Sequence, residues 1–131
     1  MKVLALDYGS ARTGVAVSDP TGTVARPLGI VERASSEAGI QQVLELARSE
    51  AVERIVVGLP VTLRGEHGAQ AQETERFVSV LRAATELPVE SFDERFTTKL
   101  AQATPAEAAE DAVAAAHLLT TYLEWKSAPR R

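Results

Sequence analysis

Apolar positions change their period several times along this chain, and each change marks an element. Residues 2–6 form a compact apolar run that stops at Asp7-Tyr8-Gly9-Ser10, and residues 13–19 resume with small and β-branched side chains. This pattern predicts strand, tight loop, strand. Asp19-Pro20-Thr21-Gly22 is a turn cluster, and residues 23–31 can supply a third strand interrupted by Pro27 and Gly29. From Ser36 the apolar residues fall at Ile40, Val43, Leu44 and Ala47, spacings of three and four that predict a helix ending near Glu50, with Ser35 or Ser36 as N-cap. Residues 54–58 are continuously apolar after Arg54, as in a parallel strand buried on both faces, and Leu59-Pro60 ends the run. After a loop with two glycines, residues 69–86 predict a helix with Phe77, Val80, Leu81 and Ala84 inward, and residues 88–93 a last strand. Thr104-Pro105-Ala106-Glu107 carries the hydroxyl, first-turn proline and following glutamate that open a helix, which should run to about Trp125. Residues 127–131 are a short basic tail, expected to fray.

The order βββ-α-β-α-β-α predicts an α/β protein. Its mixed five-stranded sheet has three antiparallel strands, then parallel ones, with helices on both faces. A chain of 131 residues fits one domain. Fourteen Lys and Arg against eighteen Asp and Glu give a net charge of −4, so attraction to nucleic acid must come from a local basic patch or from metal ions. With no cysteine there is no disulfide, thiolate zinc site or cysteine nucleophile, which fits a reducing, cytoplasmic setting. No run approaches the roughly 18 apolar residues of a membrane span, and the first apolar run is too short for a secretory signal.

Three carboxylates stand out. Asp7 directly follows an apolar strand, at the strand's C-terminal edge, where sheet proteins place ligands. Gly9 and Gly14 would allow a tight hairpin and close approach of a phosphate or metal to the backbone, and Arg12 between them could meet a phosphate oxygen. The plainer alternative is an Asp that turns the chain into the hairpin. Asp93-Glu94-Arg95 ends the last strand; because strand side chains alternate, only one of Asp93 and Glu94 easily joins a common site. Here the plain reading is a solvated corner with Asp93 or a threonine capping the next helix. Asp111 extends the stripe of Ala114, Ala115, Leu118 and Tyr122, where a carboxylate must be paired, hydrogen-bonded or metal-bound unless it lies at the wet rim.

These three acids can converge only if the last helix crosses the central strands. Oxygen ligands without cysteine or paired histidines suit Mg²⁺ or Mn²⁺ rather than zinc, and two such ions can drive phosphodiester hydrolysis. His67 reads best as an exposed loop residue and His117 as a helix-surface or partly packed one. Tyr122 and Trp125 could stack on bases, although packing the end of the last helix is the simpler role.

Four segments in order carry a family resemblance. They are Leu4-Ala5-Leu6-Asp7-Tyr8-Gly9-Ser10-Ala11-Arg12-Thr13-Gly14-Val15-Ala16-Val17-Ser18-Asp19, Val57-Gly58-Leu59-Pro60, Asp93-Glu94-Arg95-Phe96-Thr97-Thr98 and Asp111-Ala112-Val113-Ala114-Ala115. Together they resemble the YqgF/RuvX family of bacterial proteins over essentially the whole chain. The resemblance implies an RNase H-like fold and a metal-dependent phosphodiesterase, first described as a Holliday junction resolvase and now regarded as a nuclease maturing the 5′ end of pre-16S ribosomal RNA. It places the family's acids on Asp7, Glu94 and Asp111 as catalytic residues and ligands of Mg²⁺ or Mn²⁺, as a pair of ions. Arg12 and Arg95 fall where the family's arginines suit phosphate contact. The implied partners are precursor rRNA or branched DNA, with ribosomal assembly factors, for a monomer or a homodimer. One departure stands out: only twelve residues separate Thr98 from Asp111, and they replace the basic, lysine-rich stretch associated with relatives. Weaker substrate grip there is the expected consequence.

Two other classes compete. Asp7 to Gly14 also looks like the first phosphate loop of sugar kinases and actin-like proteins, but those close two lobes on a nucleotide, and this length supplies one. A non-catalytic RNA- or protein-binding module of the same fold would fit the acidic balance, and would bind RNA without regard to metal or to Asp7.

Overall fold

The computed structural model describes residues 1–59, 68–93 and 107–127. The elements run β1 (Val3–Asp7), β2 (Arg12–Ser18), β3 (Ala25–Glu32), α1 (Glu37–Ser49), β4 (Arg54–Leu59), α2 (Ala69–Ala84), β5 (Val89–Asp93) and α3 (Glu107–Ser127). They build one five-stranded sheet in the order β3-β2-β1-β4-β5. β1 is antiparallel to β2, and β2 to β3, while β4 lies parallel to β1 and β5 parallel to β4. The element order along the chain and the mixture of strand directions are those the sequence predicts.

Alternation along the strands divides the core into two layers. Leu4, Leu6, Tyr8, Val15, Val17, Ile55 and Val57 pack with α1 and α2 on one face. On the other, Val3, Ala5, Ala16, Val56 and Phe92 meet Ala115, Leu118, Leu119 and Tyr122 of α3. Each leucine buried this way contributes roughly 2 kcal/mol from apolar area removed from water. β4 is buried from Ile55 to Leu59, as its unbroken apolar run predicts.

Several boundaries and faces differ from the sequence reading. β3 runs from Ala25 to Glu32 as an edge strand, which tolerates Pro27 because that residue has no N–H to offer. A register shift between Val15 and Ala16 lies opposite Gly29 and Pro27. In α2 the buried positions are Ala71, Thr74, Phe77, Val78 and Leu81, whereas Val80 and Ala84 are exposed. The inward stripe passes through Val78 instead, one residue around the helix. α3 includes Ser127, where the sequence began its tail; the proposed start at Thr104-Pro105 and residues 128–131 lie outside the described residues.

The ends of α1 follow local chemistry. Ser36 Oγ accepts from the Gly39 N–H at 3.0 Å, which caps the start. At the other end, the Ala51 N–H donates to the Arg48 carbonyl and the Val52 N–H to the Ala47 carbonyl, a Schellman closure that holds Ala51 at φ 55°. A Cβ costs energy in that left-handed conformation. Ala51→Gly relieves strain of roughly 1–2 kcal/mol against an entropy cost of about 0.5–1 kcal/mol and is therefore expected to stabilise the fold, read as a higher urea midpoint; an unchanged or lower midpoint would contradict the strain.

Asp19 closes the β2–β3 turn. Its carboxylate accepts from the Thr21 hydroxyl and from the Thr23 and Val24 N–H groups. These bonds, led by Thr21, hold its pKa at about 2 against an ordinary 3.8. Because the folded value is the lower one, the stabilisation is complete above the ordinary value and is lost as pH falls through about 2. Asp19→Ala should lower the denaturation midpoint at pH 7, with the deficit shrinking as the pH is taken from 5 towards 2.5. A deficit independent of pH would show that the carboxylate charge is not what the turn uses.

Candidate active site

Strand alternation decides which acids share a face. Val3 and Ala5 lie under α3, so Asp7, the last residue of β1, points to the α3 side. Its register partner on β2 is Gly14. A Cβ on Gly14 would stand 1.9 Å from the Asp111 carbonyl oxygen, so the α3 backbone rests directly on the β2 backbone there. Asp7, Gly14 and Asp111 thus occupy neighbouring positions at the C-terminal end of β1. That is the sheet edge at which ligands of parallel strands are held.

The side chain of Asp111 is tied across the fold. Arg12, which opens β2, donates from Nε to Asp111 Oδ2 at 2.9 Å, joining residues 99 positions apart. The two side chains are 37% and 32% exposed, which leaves water and small ions access to the carboxylate. Asp111 therefore lies at the rim of the apolar stripe, in the wet position weighed against a buried one, and it is paired as well.

Asp93 lies elsewhere. Phe92 belongs to the α3 layer and Val89 to the opposite one, so alternation sends Asp93 to the α1 and α2 face, away from Asp7 and Asp111. Glu94, Arg95 and His67 lie outside the described residues. Among the described residues no group of three or more His, Cys, Asp or Glu gathers to hold a metal ion. Asp7 and Asp111, whose backbones both neighbour Gly14, offer hard oxygen donors, and a guanidinium already sits on Asp111. A cationic position lined by carboxylates fits a divalent ion such as Mg²⁺ or Mn²⁺.

Behind Asp7, Tyr8 turns to the opposite layer. Its ring stacks on Phe77 with centroids 4.6 Å apart, and its hydroxyl donates to Glu73 Oε2 at 2.9 Å. Burial raises the Tyr8 pKa, so the hydroxyl stays a donor and the end of β1 is pinned to α2. Far from the acids, Tyr122 is fully buried, donates to Glu90 Oε1 at 2.9 Å and packs edge-on to Phe92. Its pKa is pushed up to about 12, first by burial and then by the bond to Glu90. Tyr122 is thus a packing residue, not a base-stacking platform; Trp125 leans on the same ring cluster and is 38% exposed. His117 is half-buried on α3.

Arg12, expected on a substrate phosphate, meets the Asp111 carboxylate, a partner that its local sequence does not signal. Gly14 pairs with Asp7 in the expected hairpin, and the close approach it permits is that of the α3 backbone in place of a phosphate or metal.

A family model described as RuvX, Holliday junction resolvase, matches residues 1–125. The chain belongs to the RuvX family. A relative from Chloroflexus aggregans is 42% identical over 136 residues, spanning 97% of this chain and 96% of its own. Another from Rubrobacter xylanophilus is 45% identical over 131 residues, spanning 94% and 92%. Both carry the name "Putative pre-16S rRNA nuclease". Among solved structures, Thermus thermophilus RuvC in complex with a Holliday junction substrate aligns with a TM-score of 0.61 at 19% identity, over 98% of each chain. Fowlpox virus resolvase in complex with Holliday junction DNA aligns with a TM-score of 0.56 at 10% identity, over 98% of this chain and 100% of its own. At those identities the likeness concerns the fold, and it makes this RuvX member RNase H-like.

The close contact at Gly14 has a direct consequence. Gly14→Ala should push α3 off β2 and destabilise the protein by about 1–3 kcal/mol, with loss of the Arg12–Asp111 bond. Full stability of the variant in chemical denaturation would contradict the backbone contact.

Proposed function

We propose that this chain is a metal-dependent nuclease that hydrolyses phosphodiester bonds in the 5′ maturation of pre-16S ribosomal RNA. The observation that carries the reading is the seating of the α3 backbone at Asp111 on Gly14, the register partner of Asp7, at the C-terminal end of β1. Membership of the RuvX family and the names of the relatives support the same reaction and substrate.

In this reading Asp7, Asp111 and Glu94 hold Mg²⁺ or Mn²⁺, with Glu94 preferred to its neighbour because Asp93 points to the other face. A pair of such ions, when bound, supplies an activated water and charge for the leaving oxygen. The protein's own part is placement. Asp7 is fixed by the last pairing of β1 and by the anchored Tyr8 beside it, and Asp111 by the helix seat. Arg12 and Arg95 contact substrate phosphates. The net charge of −4 gives no general attraction to RNA, so grip depends on these arginines, the metal and ribosomal assembly factors in the cytoplasm.

Branched DNA is the second substrate to test, because the family model is described by junction resolution and RuvC was solved on a junction. Labelled precursor rRNA, single-stranded RNA and a four-way DNA junction should be incubated with Mn²⁺, Mg²⁺ or EDTA. Cleavage of precursor rRNA that requires metal is expected, with Asp7→Asn and Asp111→Asn each lowering the rate by at least about a hundredfold while keeping the fold. Asp93→Asn should cut like the parent. Cleavage unaffected by either loss, or RNA binding alone with no dependence on metal or Asp7, would overturn the nuclease reading in favour of a binding module.

A further inference from the structure

Arg12 occupies the place where a positive charge is needed before any ion arrives. Its Nε lies 2.9 Å from Asp111 Oδ2, and it reaches there from the same face of β2 as Gly14, whose partner is Asp7. A guanidinium in that position lowers the negative potential of the acid pair and holds one oxygen that a metal would take. The bond is also weak enough to exchange, since both side chains are about one third exposed and ion pairs open to water gain little net stability.

We propose that Arg12 is an exchangeable counter-ion of Asp111. It holds the acid and the α3 backbone in register while no divalent ion is bound, yields Asp111 oxygen to the ion on binding, and is thereby released towards the substrate phosphate. The inference rests on the metal-dependent reading above and adds an order of events to it. Arg12 is on this account a positioning residue in the metal-free protein and a phosphate ligand only afterwards. Coupling follows from the single side chain: its Nε is committed to Asp111 while that bond stands, and only a guanidinium freed from it can turn both Nε and Nη to a phosphate as a fork. Substrate and metal therefore favour each other's binding, because each draws on the state that the other creates.

The opposite signs of two effects make this testable by Mn²⁺ binding without any turnover. Titration calorimetry with MnCl₂ is run on the parent protein, Arg12→Gln, Arg12→Lys and Asp111→Asn, together with their melting temperatures in EDTA. Removing a competing cation should tighten Mn²⁺ binding by Arg12→Gln about threefold to tenfold, while its metal-free melting temperature falls and its rise on adding Mn²⁺ grows. Arg12→Lys keeps the charge but not the guanidinium fork, so its affinity should lie between the two. Asp111→Asn should bind Mn²⁺ at least tenfold more weakly than the parent.

If the parent binds Mn²⁺ through Asp111 but Arg12→Gln binds equally or more weakly, the exchange is refuted and the metal site stands. If Asp111→Asn binds as the parent does, or the parent binds none, the metal reading fails and the exchange falls with it. Should Arg12→Gln not fold, Arg12→Lys decides alone, and affinity equal to or weaker than the parent's refutes the proposal.

Discussion

The arrangement at one end of the sheet depends on a place where a helix backbone meets a strand backbone with no side chain between them. Position 14 must lack a Cβ because the Asp111 carbonyl of α3 already fills the space one would take. That contact sets the height of α3 over β2. Since Gly14 is the register partner of Asp7, it also brings an acid of the last helix beside the acid of the first strand. Side chains alone would have kept the two backbones at ordinary packing distance, with Asp111 correspondingly farther from Asp7.

The same helix is held along its length by different chemistry. In its middle, Ala115, Leu118 and Leu119 bury against Val3, Ala5, Ala16 and Val56. Towards its end, the Tyr122 hydroxyl and Arg54 Nη1 both donate to Glu90 Oε1, at 2.9 and 2.6 Å. Polar and apolar contacts thus fix the shaft of α3. Near the acids it is joined to β2 by the Gly14 seat and a partly exposed ion pair. At that end of the helix water reaches the pair.

Local patterns made most of this legible in advance. β1 stops at Asp7 because four apolar residues give way to an acid and a turn, and such a signal needs no tertiary context. Ser36 and the three-four spacing after it defined α1 almost to the residue. Facing was harder. The α2 stripe turned through Val78 rather than Val80 because packing on a twisted sheet selects the buried face, and the sequence offered apolar side chains at both positions. For Asp111 the stripe gave the right side of α3 but not its wet, paired state, which depends on where the helix passes the end of β1. No short-range pattern could pair Arg12 with a residue 99 positions away. Gly14 did carry a signal: a glycine at an in-facing strand position marks close approach of another backbone as readily as of a ligand.

The central claim is that Asp7 and Asp111 form a shared cation site at the C-terminal end of β1. Crystals grown with MnCl₂, measured near the manganese absorption edge, test it directly. The account predicts an anomalous peak in coordination contact with both carboxylates, with the Arg12 guanidinium turned away from Asp111. A manganese site that omits either carboxylate, or diffraction from metal-loaded crystals with Arg12 still bonded to Asp111 and no peak beside Asp7, would contradict it.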